Sequence, residues 1–164
     1  MRQLLFILCF IAIGQMTAQA QSKKTSSDNE ITHIDKAGIE AAVLGYIENF
    51  FENNTEEMIK HLHPQLAKGG VSKKRGEEVY FYEAMSIDQL KELMASKPAL
   101  PKEQQDNEVI ILDVFRNTAS VRLETGYPNR MRWIEYIILS KMDGQWLVNN
   151  VMWDYYPMKR KPKK

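Results

Sequence analysis

The amino-acid sequence predicts a single α+β domain, with three N-terminal helices packed on one face of an antiparallel sheet. Apolar residues recur at helical spacing in 39–62 and again after residue 86. Alternating strands joined by short turns fill residues 108–153. The first helix is the longest, so the sheet is expected to curve around it.

The N-terminal 20 residues are predicted to be a cleaved secretory signal peptide. Arg2 precedes an apolar run from Leu4 to Ile13, and Ala18-Gln19-Ala20 supplies the small residues of a cleavage site. The run is shorter than the roughly 20 residues of a membrane span, although an uncleaved signal anchor is the alternative. We therefore expect an exported protein, periplasmic or extracellular, without a membrane span. The predicted organisation is signal peptide 1–20, disordered linker 21–30, domain 31–157 and basic disordered tail 158–164.

Composition excludes several classes of function. The chain has 22 Lys and Arg against 21 Asp and Glu, so no global field attracts nucleic acid. Its one cysteine, Cys9, lies in the signal, which excludes disulfides and thiolate chemistry from the mature chain. The tail Met158–Lys164 is basic and is expected to be solvated, with docking on phosphates or lipid headgroups as the alternative.

The first helix is predicted from Ile39, with apolar residues at helical spacing as far as Phe50 and Asp35 as its N-cap. Tyr46 lies on its apolar stripe. Because Phe51 widens that stripe beyond one sheet contact, the helix should also cover a cavity or a second helix. Thr55 is expected to cap a second helix over residues 56–62.

Two histidines lie at the end of this second helix, and neither supports a metal site. His61 and His63 would be about 200° apart around a helix, so they cannot share a ligand. His61 is expected to be exposed beside Glu57. His63 precedes a proline, which places it at the helix end, where it can turn inward as a candidate site residue. His33 has no companion, so neither a metal nor a cofactor is expected.

Residues 66–78 are predicted to be a loop, followed by a short strand at Val79–Tyr82. Ser86 and Gln89 form a capping box that begins the third helix, which runs through Met94. Four further strands are predicted at Glu108–Val114, Thr118–Gly126, Met131–Lys141 and Gln145–Trp153.

The turn Asp143-Gly144 predicts the register of the last hairpin. A two-residue turn there pairs Lys141 with Trp146, Leu139 with Val148, Ile137 with Asn150 and Glu135 with Met152. Val151 and Trp153 would then lie on the opposite face with Ile134, Tyr136 and Ile138. Both faces are mostly apolar, which favours a homodimer through the sheet.

The face that carries Trp133, Glu135 and Asn150 best fits a binding pocket. There Glu135 would be a carboxylate among apolar side chains, where loss of water favours the protonated form and general-base chemistry. The alternative is that Glu135 lies on the solvent side of the sheet, because a slip of one residue exchanges the two faces.

An ordered set of short segments gives the chain a family resemblance. The segments are Tyr46–Phe51, His63-Pro64, Met85-Ser86, Ala119-Ser120-Val121, Glu135-Tyr136 and Asp143–Trp146. Over residues 34–153 the chain therefore resembles the "putative lumazine-binding" proteins of the nuclear-transport-factor-2-like (SnoaL-like) superfamily.

The resemblance implies a cone-shaped α+β barrel with a pocket at its open end and, in many members, dimers through the sheet. The superfamily includes isomerases, cyclases and dehydratases that use a buried acid and a tyrosine, as well as pure binding domains. Here His63 replaces the usual acid near the second helix, and Glu135 stands where aspartate is more common.

Three functions stay open. The first is binding of a small, largely apolar or aromatic molecule in a pocket. The second is isomerase, dehydratase or cyclase activity with Glu135 or His63 as base and Tyr46 polarising a carbonyl. The third is a dimeric scaffold or interaction protein with a filled cavity. The predicted ligand-binding residues are Tyr46, Phe50, His63, Tyr82, Trp133, Glu135 and Asn150.

Overall fold

The computed structural model describes residues 33–74, 77–128 and 130–156. The predicted signal peptide, linker and basic tail lie outside them. The described residues form three helices, α1 (His33–Glu52), α2 (Thr55–Lys60) and α3 (Ile87–Ala95), and one short 3-10 turn (Lys102–Gln104). Six strands complete the fold: β1 (Leu62–Lys73), β2 (Tyr80–Met85), β3 (Glu108–Phe115), β4 (Thr118–Tyr127), β5 (Met131–Met142) and β6 (Gln145–Tyr155).

The strands form one curved, open sheet in the order β2-β1-β6-β5-β4-β3. The predicted α+β class and the curved sheet are confirmed. The prediction of an antiparallel barrel is wrong in two respects: β1 pairs with β6 in parallel, and β2 and β3 remain edges. The helices are also not all N-terminal, because β1 and β2 come before α3.

Helix α1 lies against β6 and β3 and buries a broad apolar stripe. It ends where Asn53 adopts a left-handed φ of 59°, a conformation that asparagine tolerates. The prediction of Asp35 as N-cap is wrong, since the helix begins at His33. Asp35 instead accepts hydrogen bonds from Lys141 Nζ at 2.6 Å and Trp146 Nε1 at 3.4 Å, which tie α1 to the β5–β6 hairpin.

The second helix is shorter than predicted. Asn54, rather than Thr55, caps it by accepting a hydrogen bond from the Glu57 amide, and the helix ends at Lys60. The predicted loop over 66–78 is largely strand β1, which continues through Gly69 and Gly70. Paired glycines predict a turn, but here each lies under an aromatic ring from a neighbouring strand.

The last hairpin has the predicted turn, with Asp143 and Gly144 both at positive φ. Lys141 pairs with Trp146 and Leu139 with Val148, as predicted. Beyond them a β-bulge shifts the register, so Ile137 faces Val151 and Glu135 faces Trp153. The predicted partners of Ile137 and Glu135, Asn150 and Met152, are therefore wrong.

A side-chain amide holds the bulge in place. Asn149 Oδ1 accepts hydrogen bonds from Ser140 N at 3.0 Å and from Ser140 Oγ at 2.8 Å. The inward residues of β6 are consequently Trp146, Val148, Val151 and Trp153. Trp153 thus joins Glu135 on the inner face of the sheet.

Helix α3 begins at the predicted capping box, in which Ser86 and Gln89 exchange hydrogen bonds at 2.8 and 3.1 Å. It buries Leu90 and Met94 against the core. Among the described helices none combines the length and apolarity of a membrane span.

Candidate functional site

The inner face of the sheet, α1 and α3 border a partly open cavity of about 180 Å³, called here the inner cavity. Helix α1 contributes Tyr46 and Phe50. The rest of the cavity wall comes mainly from α3 and the sheet: Lys68, Glu83, Met85, Leu90, Leu93, Lys97, Met131, Trp133, Glu135, Trp153 and Tyr155. An apolar wall with a few converging polar groups is typical of a small-molecule site.

A buried polar cluster forms part of this wall, made of Tyr46, Lys68, Trp133 and Glu135. Lys68 Nζ donates to Glu135 Oε1 and to Tyr46 Oη, both at 2.8 Å. Tyr46 Oη donates to Glu135 Oε2 at 3.0 Å, and Trp133 Nε1 donates to Glu135 Oε1 at 3.2 Å. The carboxylate therefore accepts from three side chains, as a buried charge requires.

Three separate elements position the cluster. Tyr46 lies on the buried stripe of α1, Lys68 on the inner face of β1, and Glu135 on the inner face of β5. The Lys68 and Glu135 side chains are only 6% and 3% exposed. The cluster therefore joins the helix to two non-adjacent strands of the sheet.

Burial shifts the acid–base properties of both partners of Glu135. It lowers the pKa of Lys68, while the adjacent Glu135 raises that pKa part of the way back. The pKa of Tyr46 lies well above its usual value of 10.0, first because of burial and then because of Glu135. Tyr46 is thus a neutral hydrogen-bond donor near pH 7.

One buried polar group beside the inner cavity has no hydrogen-bond partner among the described residues. Trp153 is 4% exposed, and its indole N–H makes no hydrogen bond with any described residue. The Trp153 ring lies on Gly70, where a Cβ would come within 2.3 Å of it. Lys68 Nζ stands 4.8 Å from the centre of this ring. An unpaired buried donor costs free energy of folding.

The structure brings four of the seven predicted ligand-binding residues together. Tyr46, Phe50, Trp133 and Glu135 all line the inner cavity. The alternative of a solvent-facing Glu135 is wrong, because its side chain is buried.

The other three predicted residues lie away from the cavity wall. Asn150 is exposed because the bulge turns it to the outer face of the sheet. Tyr82 is 62% exposed and covers Gly69 on that same outer face. His63 Nδ1 accepts from the Gln65 amide at 3.1 Å, in a strand rather than at a helix end.

The other predicted histidine positions also differ. His61 is half-buried rather than exposed beside Glu57, and its ring lies on Gly45 of α1. Burial lowers the pKa of this ring. The described residues contain no group of three His, Asp or Glu side chains placed to hold a metal ion.

Sequence reasoning missed Lys68 and Trp153. The composition of residues 66–78 predicts a loop at Lys68, and the two-residue period of the hairpin predicts Trp153 on the face opposite Glu135. The available signal was the glycine pair Gly69-Gly70, because glycine inside a strand often marks the close approach of another group. The leucines of α3, Leu90 and Leu93, could have been found from the helical period alone.

Residues 34–154 match the protein family described as "Putative lumazine-binding". The chain belongs to this family. Its fold is NTF2-like, as the resemblance in the sequence implied. A comparison with functionally curated proteins finds no match.

Solved structures share the fold at low sequence identity. An NTF2-like protein of unknown function from Shewanella baltica has 19% identity and a TM-score of 0.65, over 77% of this chain and 98% of that one. A ketosteroid isomerase-like protein from Erwinia carotovora has 18% identity and a TM-score of 0.51, over 74% and 96%. A "Putative Scytalone Dehydratase" from Novosphingobium aromaticivorans has 16% identity and a TM-score of 0.51, over 80% and 90%. These likenesses support the fold alone.

Proposed function

We propose that this protein binds a small, largely apolar or aromatic molecule in the inner cavity. The observation that carries the proposal is the cavity of about 180 Å³, whose wall is largely aromatic and apolar and carries the polar Tyr46, Lys68 and Glu135 on one side. A cavity of roughly 150 Å³ is enough for a benzene-sized guest. A single aromatic ring would therefore fill the space.

The aromatic wall favours a flat ligand. Phe50, Trp133 and Trp153 present π-surfaces to the cavity, and offset or edge-on contacts between rings are favourable. The open space also favours binding over a scaffold whose interior is filled by its own side chains.

The proposal is tested with phenylnaphthylamine, a neutral dye whose emission rises in apolar surroundings. Its phenyl ring matches the inner cavity, and its naphthyl group can extend past Lys97 and Met131 into the adjoining space. Leu93→Trp would fill the inner cavity, whereas Ile59→Trp adds similar bulk to an exposed position of α2. We expect the wild type and Ile59→Trp to bind the dye alike and Leu93→Trp to bind it at least about tenfold more weakly, because no room remains. Absence of binding to the wild type, or equal binding by Leu93→Trp, would contradict the proposal.

A second candidate is acid–base catalysis, favoured by the 3.0 Å contact between Tyr46 Oη and Glu135 Oε2. An isomerase or dehydratase needs a base and a carbonyl-polarising donor at one substrate. In this structure Tyr46 donates to Glu135, so a substrate carbonyl would have to take over that hydroxyl. His63 is remote from the cavity wall, which leaves Glu135 as the candidate base.

The catalytic candidate is tested by following hydrogen exchange at the α-carbon of cyclic ketones in D2O by NMR. Exchange that depends on the protein and is lost in Glu135→Gln would support it. Dye binding without any exchange would leave binding as the function.

Export and self-association complete the proposal. The outer face of the sheet exposes Leu112, Tyr136, Ile138 and Met152, which supports a homodimer formed through it. Light scattering tests this, and we expect a dimer for the wild type and a monomer for Ile138→Lys.

N-terminal sequencing of protein recovered outside the cytoplasm tests export, with Gln21 as the expected first residue.

A further inference from the structure

A second, wider depression continues outward from the inner cavity. This outer groove has a volume of about 650 Å³ and is lined by the segment after α3 and by the β4–β5 turn. Lys97 and Met131 line both the groove and the inner cavity, so the two spaces adjoin. A ligand longer than one ring could therefore occupy both.

The outer groove is basic. Lys97 Nζ lies 5.5 Å from the ring centre of Tyr127 and 6.0 Å from that of Phe50, and the Arg130 guanidinium lies 5.8 Å from the Tyr127 ring. Burial, and then the charge of Arg130, lower the pKa of Lys97. Two cations that face the same aromatic ring repel each other, and an anion between them offsets this repulsion.

Neither cation has an acidic partner among the described residues. The ion pairs among the described residues include neither Lys97 nor Arg130, and no described Asp or Glu lines the groove. The neighbouring Arg132, by contrast, pairs with Asp106. The groove is thus electrostatically suited to an anion.

The inner cavity lacks this preference. Glu83 and Glu135 balance Lys68 and Lys97 in its wall, and Lys68 is already paired with Glu135. The anionic end of a ligand would gain no net attraction there and would be attracted in the groove. This difference gives the bound molecule a direction.

We propose that the ligand is a small amphiphilic organic anion, with its ring in the inner cavity and its carboxylate, sulfonate or phosphate oxygens between Lys97 and Arg130. The proposal rests on the proposed function and adds to it the charge and orientation of the ligand. Lys97 and Arg130 act as specificity-determining residues that select anions.

The test compares two dyes that differ by one charged group, anilinonaphthalene sulfonate and neutral phenylnaphthylamine. At low salt we expect the wild type to bind the sulfonate about tenfold more tightly than the neutral dye, since two partly exposed cations contribute. Arg130→Gln should remove much of this preference while affinity for the neutral dye changes little. Lys97→Met should likewise lower the ratio of sulfonate to neutral-dye affinity. High salt should weaken only the sulfonate.

Lys102→Met is the matched control, because Lys102 is a nearby cation that pairs with Glu48 and does not line the groove. It should keep the wild-type preference. Arg130 is exposed, so Arg130→Gln should fold even if Lys97→Met does not.

The outcomes separate the two proposals. Equal affinity of the wild type for both dyes, or an undiminished preference in Arg130→Gln, would overturn the anion assignment while binding stands. Failure of both dyes to bind would overturn the anion assignment and the proposed binding function together.

Discussion

Replacing Lys68 with methionine would leave Glu135 buried without its cation. Methionine keeps most of the apolar stem of lysine, so the change removes a charge and two hydrogen bonds with little loss of packing. The carboxylate would retain only Tyr46 and Trp133 as donors. Lys68→Met therefore measures what the buried ion pair contributes to folding.

The distance between the two charges gives the scale of the effect. At 2.8 Å the attraction between Lys68 Nζ and Glu135 Oε1 is about 6 kcal/mol for an effective dielectric constant of about 20. Desolvation offsets part of it when the pair forms, but removing one partner leaves the other desolvated and unpaired. We expect Lys68→Met to lower the free energy of unfolding by about 3–5 kcal/mol.

Urea denaturation followed by circular dichroism provides the assay. The double variant Lys68→Met/Glu135→Gln removes both charges and should recover at least about 2 kcal/mol relative to Lys68→Met. The control is Lys102→Met, which breaks a pair of similar length, 2.6 Å, in which the lysine is 63% exposed, and should have no measurable effect. A loss of less than about 1 kcal/mol in Lys68→Met, the scale of an exposed pair, would refute the reasoning.

Three further variants test neighbouring parts of the structure by urea unfolding. Glu135→Gln removes the carboxylate that raises the pKa of Lys68, so the pKa of Lys68 in the folded state falls further below its unfolded value of about 10.4. Because the unfolded chain then binds more protons than the folded one, the free energy of unfolding should increase from about pH 7 to about pH 9.5, more steeply than in the wild type. Tyr46→Phe removes an acceptor from Lys68 and a donor to Glu135 and should cost about 2 kcal/mol; an unchanged midpoint would contradict the cluster geometry. Asn149→Ala leaves the Ser140 amide unpaired at the bulge and should cost about 1–2 kcal/mol, whereas a neutral effect would mean that the bulge persists without its side-chain bond.

Sequence reasoning succeeded where the determinants are local. The capping box at Ser86 and the Asp143-Gly144 turn each depend on residues within a few positions of one another. Helix α1 follows from its own apolar period and the asparagine at its end. The four C-terminal strands were therefore located to within a residue or two of their ends.

The parts that were missed depend on distant residues. Lys68 could be assigned to a strand only by knowing that Glu135, 67 positions later, neutralises it. Strand β1 forms because β6 pairs with it in parallel, and such a partner leaves no local signal. The bulge depends on a hydrogen bond between Asn149 and Ser140 that interrupts the two-residue period from which the faces were deduced.

The chain position of β6 bears on when the domain can form during synthesis. The last strand in sequence lies between β1 and β5, near the middle of the sheet. Before β6 leaves the ribosome, the pair β1–β2 and the three-stranded group β3–β5 are two fragments that share no strand-to-strand hydrogen bonds. The folding barrier should therefore be dominated by the late, long-range docking of β6, which is slow compared with local steps. A nascent chain that stays unfolded until almost all of it has been made would also remain threadable through a secretion channel, as the proposed export requires.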